Sequence, residues 1–182
     1  MKQNQVVFAL VLVALAVISR VLCAEIGAFN FAPVIAIGLV SGMLIRDAKL
    51  ALVVALSGQF LADVFFQAFP TDTNTGFYGL SQFFVYGGLL AATLVGRVFE
   101  KVNVLTVAGG TLMASLTFFI ISNLGYFAQG YNGYTAGGLV KTFADAIPFF
   151  KSSLTGDLIG SAVLFSAYFA VKFAFPARLK TA

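Results

Sequence analysis

Arg20, Asn30, Asp63, Gln82, Tyr86, Ser122, Asn123 and Asp157 stand out because each interrupts or borders a stretch that is otherwise apolar. Asp63 is the sharpest case, set among Leu61, Ala62, Val64, Phe65 and Phe66. An ionisable group in such surroundings is costly in lipid and is a functional candidate by default, normally with a partner. Carboxylate, guanidinium and carboxamide groups together can hydrogen-bond the edges of a polar organic molecule. Tyr86 and Phe149 add flat faces that could stack on an aromatic ring. A structural interpretation competes with this one. Arg20, Asp63 and Asp157 could form an ion cluster, Arg20 could snorkel toward the membrane interface, and Asp157 could simply favour a helix N-terminus.

Other chemistries find fewer residues. The chain has no His and a single Cys, which disfavours a transition-metal site built on imidazoles. Cys23 could ligate a soft metal, but a small packing residue is the plainer interpretation. Asp63 with Asp157 is the sole conceivable acid–base couple, so no enzyme activity and no resident cofactor are expected. Gly137-Gly138-Leu139-Val140-Lys141-Thr142 lacks the second glycine before the lysine that a phosphate loop requires. The chain therefore carries no ATPase site of its own.

The elements that must position these residues follow from composition. Of 182 residues, 60% are hydrophobic and 10% charged, with a mean hydropathy of +0.97. Soluble domains carry roughly a quarter charged residues, and a soluble protein of this size could not hide so much apolar surface. The apolar runs are long and continuous, unlike the alternating segments of about ten residues in a barrel. The expectation is an all-α membrane protein in one integral domain, 1–182. A net charge of +4 does not signal nucleic acid, because the basic residues sit singly between apolar runs.

Transmembrane helices are predicted at about 6–24, 30–45, 50–68, 79–97, 104–128 and 154–175. The first has the outline of a signal peptide before Glu25 but is expected to stay as helix one. Segment 136–150, with Gly137, Gly138, Lys141, Asp145 and Pro148, is too polar to span. It is predicted as a short amphipathic helix at the outer surface, serving as a lid. Lys2, Arg46, Lys49, Arg97, Lys101, Lys172, Arg178 and Lys180 collect on one side, against Lys141 and Lys151 on the other. That bias puts both termini in the cytoplasm.

With this orientation every interrupting polar residue lies in the outer half of the bilayer. A conducting path would need polar groups at several depths, whereas a cup open to the outside needs them only near its mouth. The predicted site is thus a pocket for a small molecule lined by Arg20, Asn30, Asp63, Tyr86, Asn123, Phe149 and Asp157. Small residues four apart, as at Gly38 and Gly42 or Ala92 and Gly96, are expected where helices cross closely. The stripe Ala162, Ser166, Ala170, Ala174 could instead dock a partner.

Several blocks carry a resemblance. They are Asn30-Phe31-Ala32-Pro33, Leu61-Ala62-Asp63, Val85-Tyr86, Ser122-Asn123-Leu124-Gly125, Ala146-Ile147-Pro148-Phe149-Phe150 and Leu154-Thr155-Gly156-Asp157. Over nearly its whole length the chain resembles a family of six-helix bacterial membrane proteins that is itself similar to the substrate-binding S components of energy-coupling factor (ECF) transporters. The resemblance implies a compact S-component-like bundle in the bacterial inner membrane, with a ligand pocket near its outer face. It also implies uptake of a vitamin or cofactor precursor, with an ECF-type transmembrane subunit and two ATPases as partners. An accessory subunit without a ligand is the alternative, and a membrane-embedded enzyme a more distant one.

Overall fold

The computed structural model describes residues 3–28, 30–71 and 76–174. These form α1 (Gln3–Glu25), α2 (Val34–Leu44), α3 (Ala48–Ala68), α4 (Leu80–Arg97), α5 (Val104–Ala128) and α6 (Ala136–Ala174). Among the described residues α1, α3, α5 and α6 are long and apolar enough to cross a membrane. The fold is that of an all-α membrane protein, as the composition requires. Of the basic residues used for orientation, Lys2, Arg178 and Lys180 lie outside the described residues.

α2 departs from the predicted helix at 30–45. Pro33 disfavours helical geometry in the residue before it, so the helix begins at Val34 and Asn30 stays in the preceding loop with φ of 55°. An 11-residue helix is only about 16 Å long, too short to span. It survives as the axis of the bundle. α2 packs against every other helix, its residues Ile35 to Gly42 are buried, and it carries no charged side chain.

Both ends of α2 are closed by other helices. The Asp157 carboxylate of α6 accepts a hydrogen bond from the Ala36 N–H at 3.3 Å. At the far end Arg97 of α4 donates to the carbonyls of Ile45 and Arg46 at 3.0 and 3.1 Å. Negative charge at the N-terminus and positive charge at the C-terminus both favour the helix dipole. A helix too short to stand alone is thereby held by its neighbours.

The second departure concerns 136–150. It is not a separate surface helix but the first part of α6, which runs unbroken for 39 residues with Pro148 inside it. The Thr135 hydroxyl accepts from the Gly138 N–H at 3.0 Å and starts the helix. Phe143 and Phe150 then pack on Phe119 of α5, with ring centroids 5.6 and 4.5 Å apart. Lys141 and Asp145 pair with each other at 2.7 Å on the exposed face. Polar residues are tolerated here because a helix of this length, about 58 Å, outruns a bilayer core of about 30 Å.

The small residues divide by face. Gly38, Gly42, Ala92 and Gly96 are buried, whereas Ala162, Ser166, Ala170 and Ala174 are exposed. α2 and α4 cross so closely that a methyl group on Gly96 would lie 2.7 Å from the Leu39 carbonyl oxygen, and one on Gly42 would run into the Thr93 carbonyl. Backbone cannot yield as a flexible side chain can. Gly42→Ala is therefore expected to lower stability by about 2 kcal/mol, measured by reversible unfolding in mixed detergent. An unchanged midpoint would show that the crossing can open.

Candidate ligand-binding site

One end of the bundle gathers the C-terminal halves of α1, α3 and α5, the N-termini of α2 and α4, and the first half of α6. A half-open cavity of about 470 Å³ lies there. It is lined by Val34 and Ile35 at the start of α2, by Asn30 and Ala32 of the loop before it, and by Arg20 of α1 and Gln59 of α3. Tyr78, Val85 and Leu89 bring in the start of α4, while Phe118, Phe119, Ser122 and Asn123 come from α5. Phe149 and Phe150 of α6 complete an aromatic side.

Behind Arg20, Asp63 is the hub of a polar cluster that ties α1, α3 and α4 together. Arg20 donates to it at 2.7 Å, the Tyr86 hydroxyl at 2.8 Å, Gln59 at 3.2 Å and Gln82 at 3.3 Å. The Gln82 amide also donates to the Tyr86 hydroxyl at 3.0 Å. The Asp63 side chain is 1% exposed and that of Arg20 15%, so the ion pair is closed off on the carboxylate side and open toward the cavity on the guanidinium side. The guanidinium also sits 5.4 Å from the centre of the Phe66 ring, where the ring face favours a cation.

Asp157 belongs to a second cluster. It is fully buried, accepts from Ser115 at 2.9 Å and from the α2 backbone, and does not line the cavity. One turn further along α6, Ser161 shares a hydrogen bond with Thr111 of α5 at 2.8 Å. Asp63 and Asp157 share no partner among the described residues. The acid–base couple suggested by their types is therefore not assembled as a contacting pair.

Of the residues singled out by type, Arg20, Asn30, Asn123 and Phe149 meet at the cavity. Asp63 and Tyr86 stand behind Arg20, and Asp157 supports α2, whose start lines the cavity. Gln59, Tyr78, Phe118, Phe119 and Phe150 went unnoticed as site residues. Gln59 was findable, since it lies four residues before Asp63 and so shares its helix face. Tyr78 was not, because it hangs in a loop between Gly76 and Gly79, both at positive φ. Burial, and then the Asp63 charge, push its phenol above the ordinary 10.0, so Tyr78 is protonated near neutrality. Among the described residues no three Cys, Asp or Glu side chains gather as a metal ion would need.

A family model matches residues 1–178, a stretch that takes in every residue of the cavity. The chain belongs to DUF6580, a family of unknown function. No curated protein and no solved structure matches it. For this member of DUF6580 the argument about activity therefore rests on the cavity itself.

Proposed function

We propose that this DUF6580 protein binds a small, polar, ring-containing organic molecule in its cavity and serves its uptake across the bacterial inner membrane. One observation carries this reading: the half-open cavity of about 470 Å³, with carboxamide, guanidinium and phenyl groups in its lining. Its size falls within the few hundred to a thousand Å³ typical of small-molecule sites. The charge pattern supports an outward-facing mouth, because Arg46, Lys49, Arg97, Lys101 and Lys172 lie at the end opposite the cavity, which the positive-inside bias makes cytoplasmic. The S-component resemblance supports the same use and adds an ECF-type transmembrane subunit and ATPases as the energising partners. An accessory subunit without a ligand would more naturally have a collapsed end with no such space.

Mass spectrometry of small molecules extracted from protein purified gently from its own membranes tests the proposal. The expected outcome is one stoichiometric organic compound in the wild type, lost from Phe149→Ala. Phe149 is 59% exposed, so its truncation should change stability by no more than about 0.5 kcal/mol. Recovery of lipid and detergent alone from both proteins would overturn the proposal.

A further inference from the structure

The cavity is lined by unlike hydrogen-bonding groups, and the difference specifies how a ligand must be built. This step rests on the cavity being a ligand site. On α5, the Asn123 carboxamide donates to the Phe119 carbonyl at 2.7 Å, and the Ser122 hydroxyl donates to the same carbonyl at 3.3 Å. A backbone carbonyl can only accept, so one N–H of Asn123 and the Ser122 proton are committed to it. What remains of these two side chains is the Asn123 carbonyl oxygen, the Ser122 lone pairs and the second Asn123 N–H, so acceptors predominate.

Arg20 offers donors alone. Both hydrogen bonds that Arg20 makes among the described residues, to Asp63 and to the Gln59 carbonyl, leave from Nη1. Its Nη2 and Nε are donors with no acceptor there, and a guanidinium has no acceptor to offer. α1 touches α2 and α3 and no other helix, so Arg20 and the α5 residues reach the cavity from helices that do not pack on each other. The rings of Phe118, Phe119, Phe149 and Phe150 line the same cavity. Arg20 is the sole charged residue in the lining, and Asp63 neutralises it.

We infer that the ligand is an uncharged planar ring compound with N–H or amino donors at one end, held by Asn123 and Ser122, and a carbonyl-type acceptor at the other, held by Arg20. An anion would have to compete with Asp63 for Arg20. A cation would meet no carboxylate in the lining. Asn30, whose side chain has no hydrogen-bond partner among the described residues, adds a carboxamide from the exposed loop before α2.

Three probes separate these requirements: para-aminoacetophenone, which has both ends; para-(dimethylamino)acetophenone, which lacks the donors; and para-ethylaniline, which lacks the acceptor. Dissociation constants are measured by ligand-observed NMR on the protein in nanodiscs, with empty nanodiscs as the partition control. The two-ended probe is expected to bind about tenfold more tightly than either of the others, because a site group left unpaired costs its desolvation. Asn123→Leu should bring the amino and dimethylamino compounds to near-equal affinity while preserving the preference for the carbonyl. A purely steric exclusion of the dimethyl group would persist in that variant. Equal binding of all three probes to the wild type overturns the inference and leaves the site reading standing. Binding of none of them at millimolar concentration also overturns the inference, while recovery of a stoichiometric compound by mass spectrometry decides the site reading separately.

Discussion

Arg20→Met is expected to cost about 4 kcal/mol of stability, the largest effect of any substitution considered. Methionine matches the length of the arginine stem and keeps much of its apolar packing, so the change removes the charge more than the volume. It leaves the Asp63 carboxylate, with its side chain 1% exposed, without its cation. Breaking a buried ion pair from one side typically costs about 3–5 kcal/mol, because the remaining charge stays desolvated and uncompensated. The neutral donors Gln59, Gln82 and Tyr86 compensate only in part. Gln82→Leu provides the comparison, since it removes one neutral donor at 3.3 Å and should cost about 1 kcal/mol. Unfolding of both variants in mixed detergent checks the order. If the arginine variant loses no more than the glutamine variant, the pair is not what holds α1 against α3.

Asp157→Ala should follow at about 3 kcal/mol, while Asp157→Asn should lose no more than about 1 kcal/mol. The carboxylate is buried with no cation near it. α2 and α5, the helices packed on either side, contain no charged residue at all. What it does is accept hydrogen bonds from the Ala36 N–H and the Ser115 hydroxyl. Alanine leaves both donors unpaired and exposes the first turn of a helix whose own N-cap, Pro33, makes no side-chain cap. Asparagine keeps an acceptor oxygen at nearly the same place. Because Ala32, Val34 and Ile35 line the cavity, the alanine variant should also bind any cavity ligand more weakly. Equal destabilisation by alanine and asparagine would show that charge, rather than the acceptor, holds the end of α2.

The two clusters show where reading by residue type succeeds and where it stops. Asp63 was conspicuous in the sequence because nothing apolar excuses a carboxylate between Ala62 and Val64. Its placement with Arg20 and Tyr86 in one cluster fits the depths assigned to them. Asp157 was conspicuous for the same reason, yet its hydrogen bonds serve α2 rather than the cavity lining. Residue type and depth are alike for the two, and only the direction each side chain takes from its helix separates them. The aromatic side of the cavity was invisible for the opposite reason. With 21 Phe in the chain, no local signal distinguishes Phe118, Phe119 and Phe150 from those that face lipid or neighbouring helices.

Segment 136–150 was misjudged on a similar point. Hydropathy scores a window as though it had to cross the bilayer, whereas α6 is long enough to carry its polar turns beyond the apolar core. Local composition was thus sufficient for the class of the protein: too many apolar residues and too few charges leave helices in a membrane as the only way to satisfy the backbone. It also located most helix ends and the polar residues that had to find partners. The short α2 as the axis of the bundle and the cavity at its N-terminal end depend on contacts between residues far apart in the chain. Arg20 and Asn123 are separated by most of the protein and by three intervening helices. Only packing brings them into the lining of one cavity.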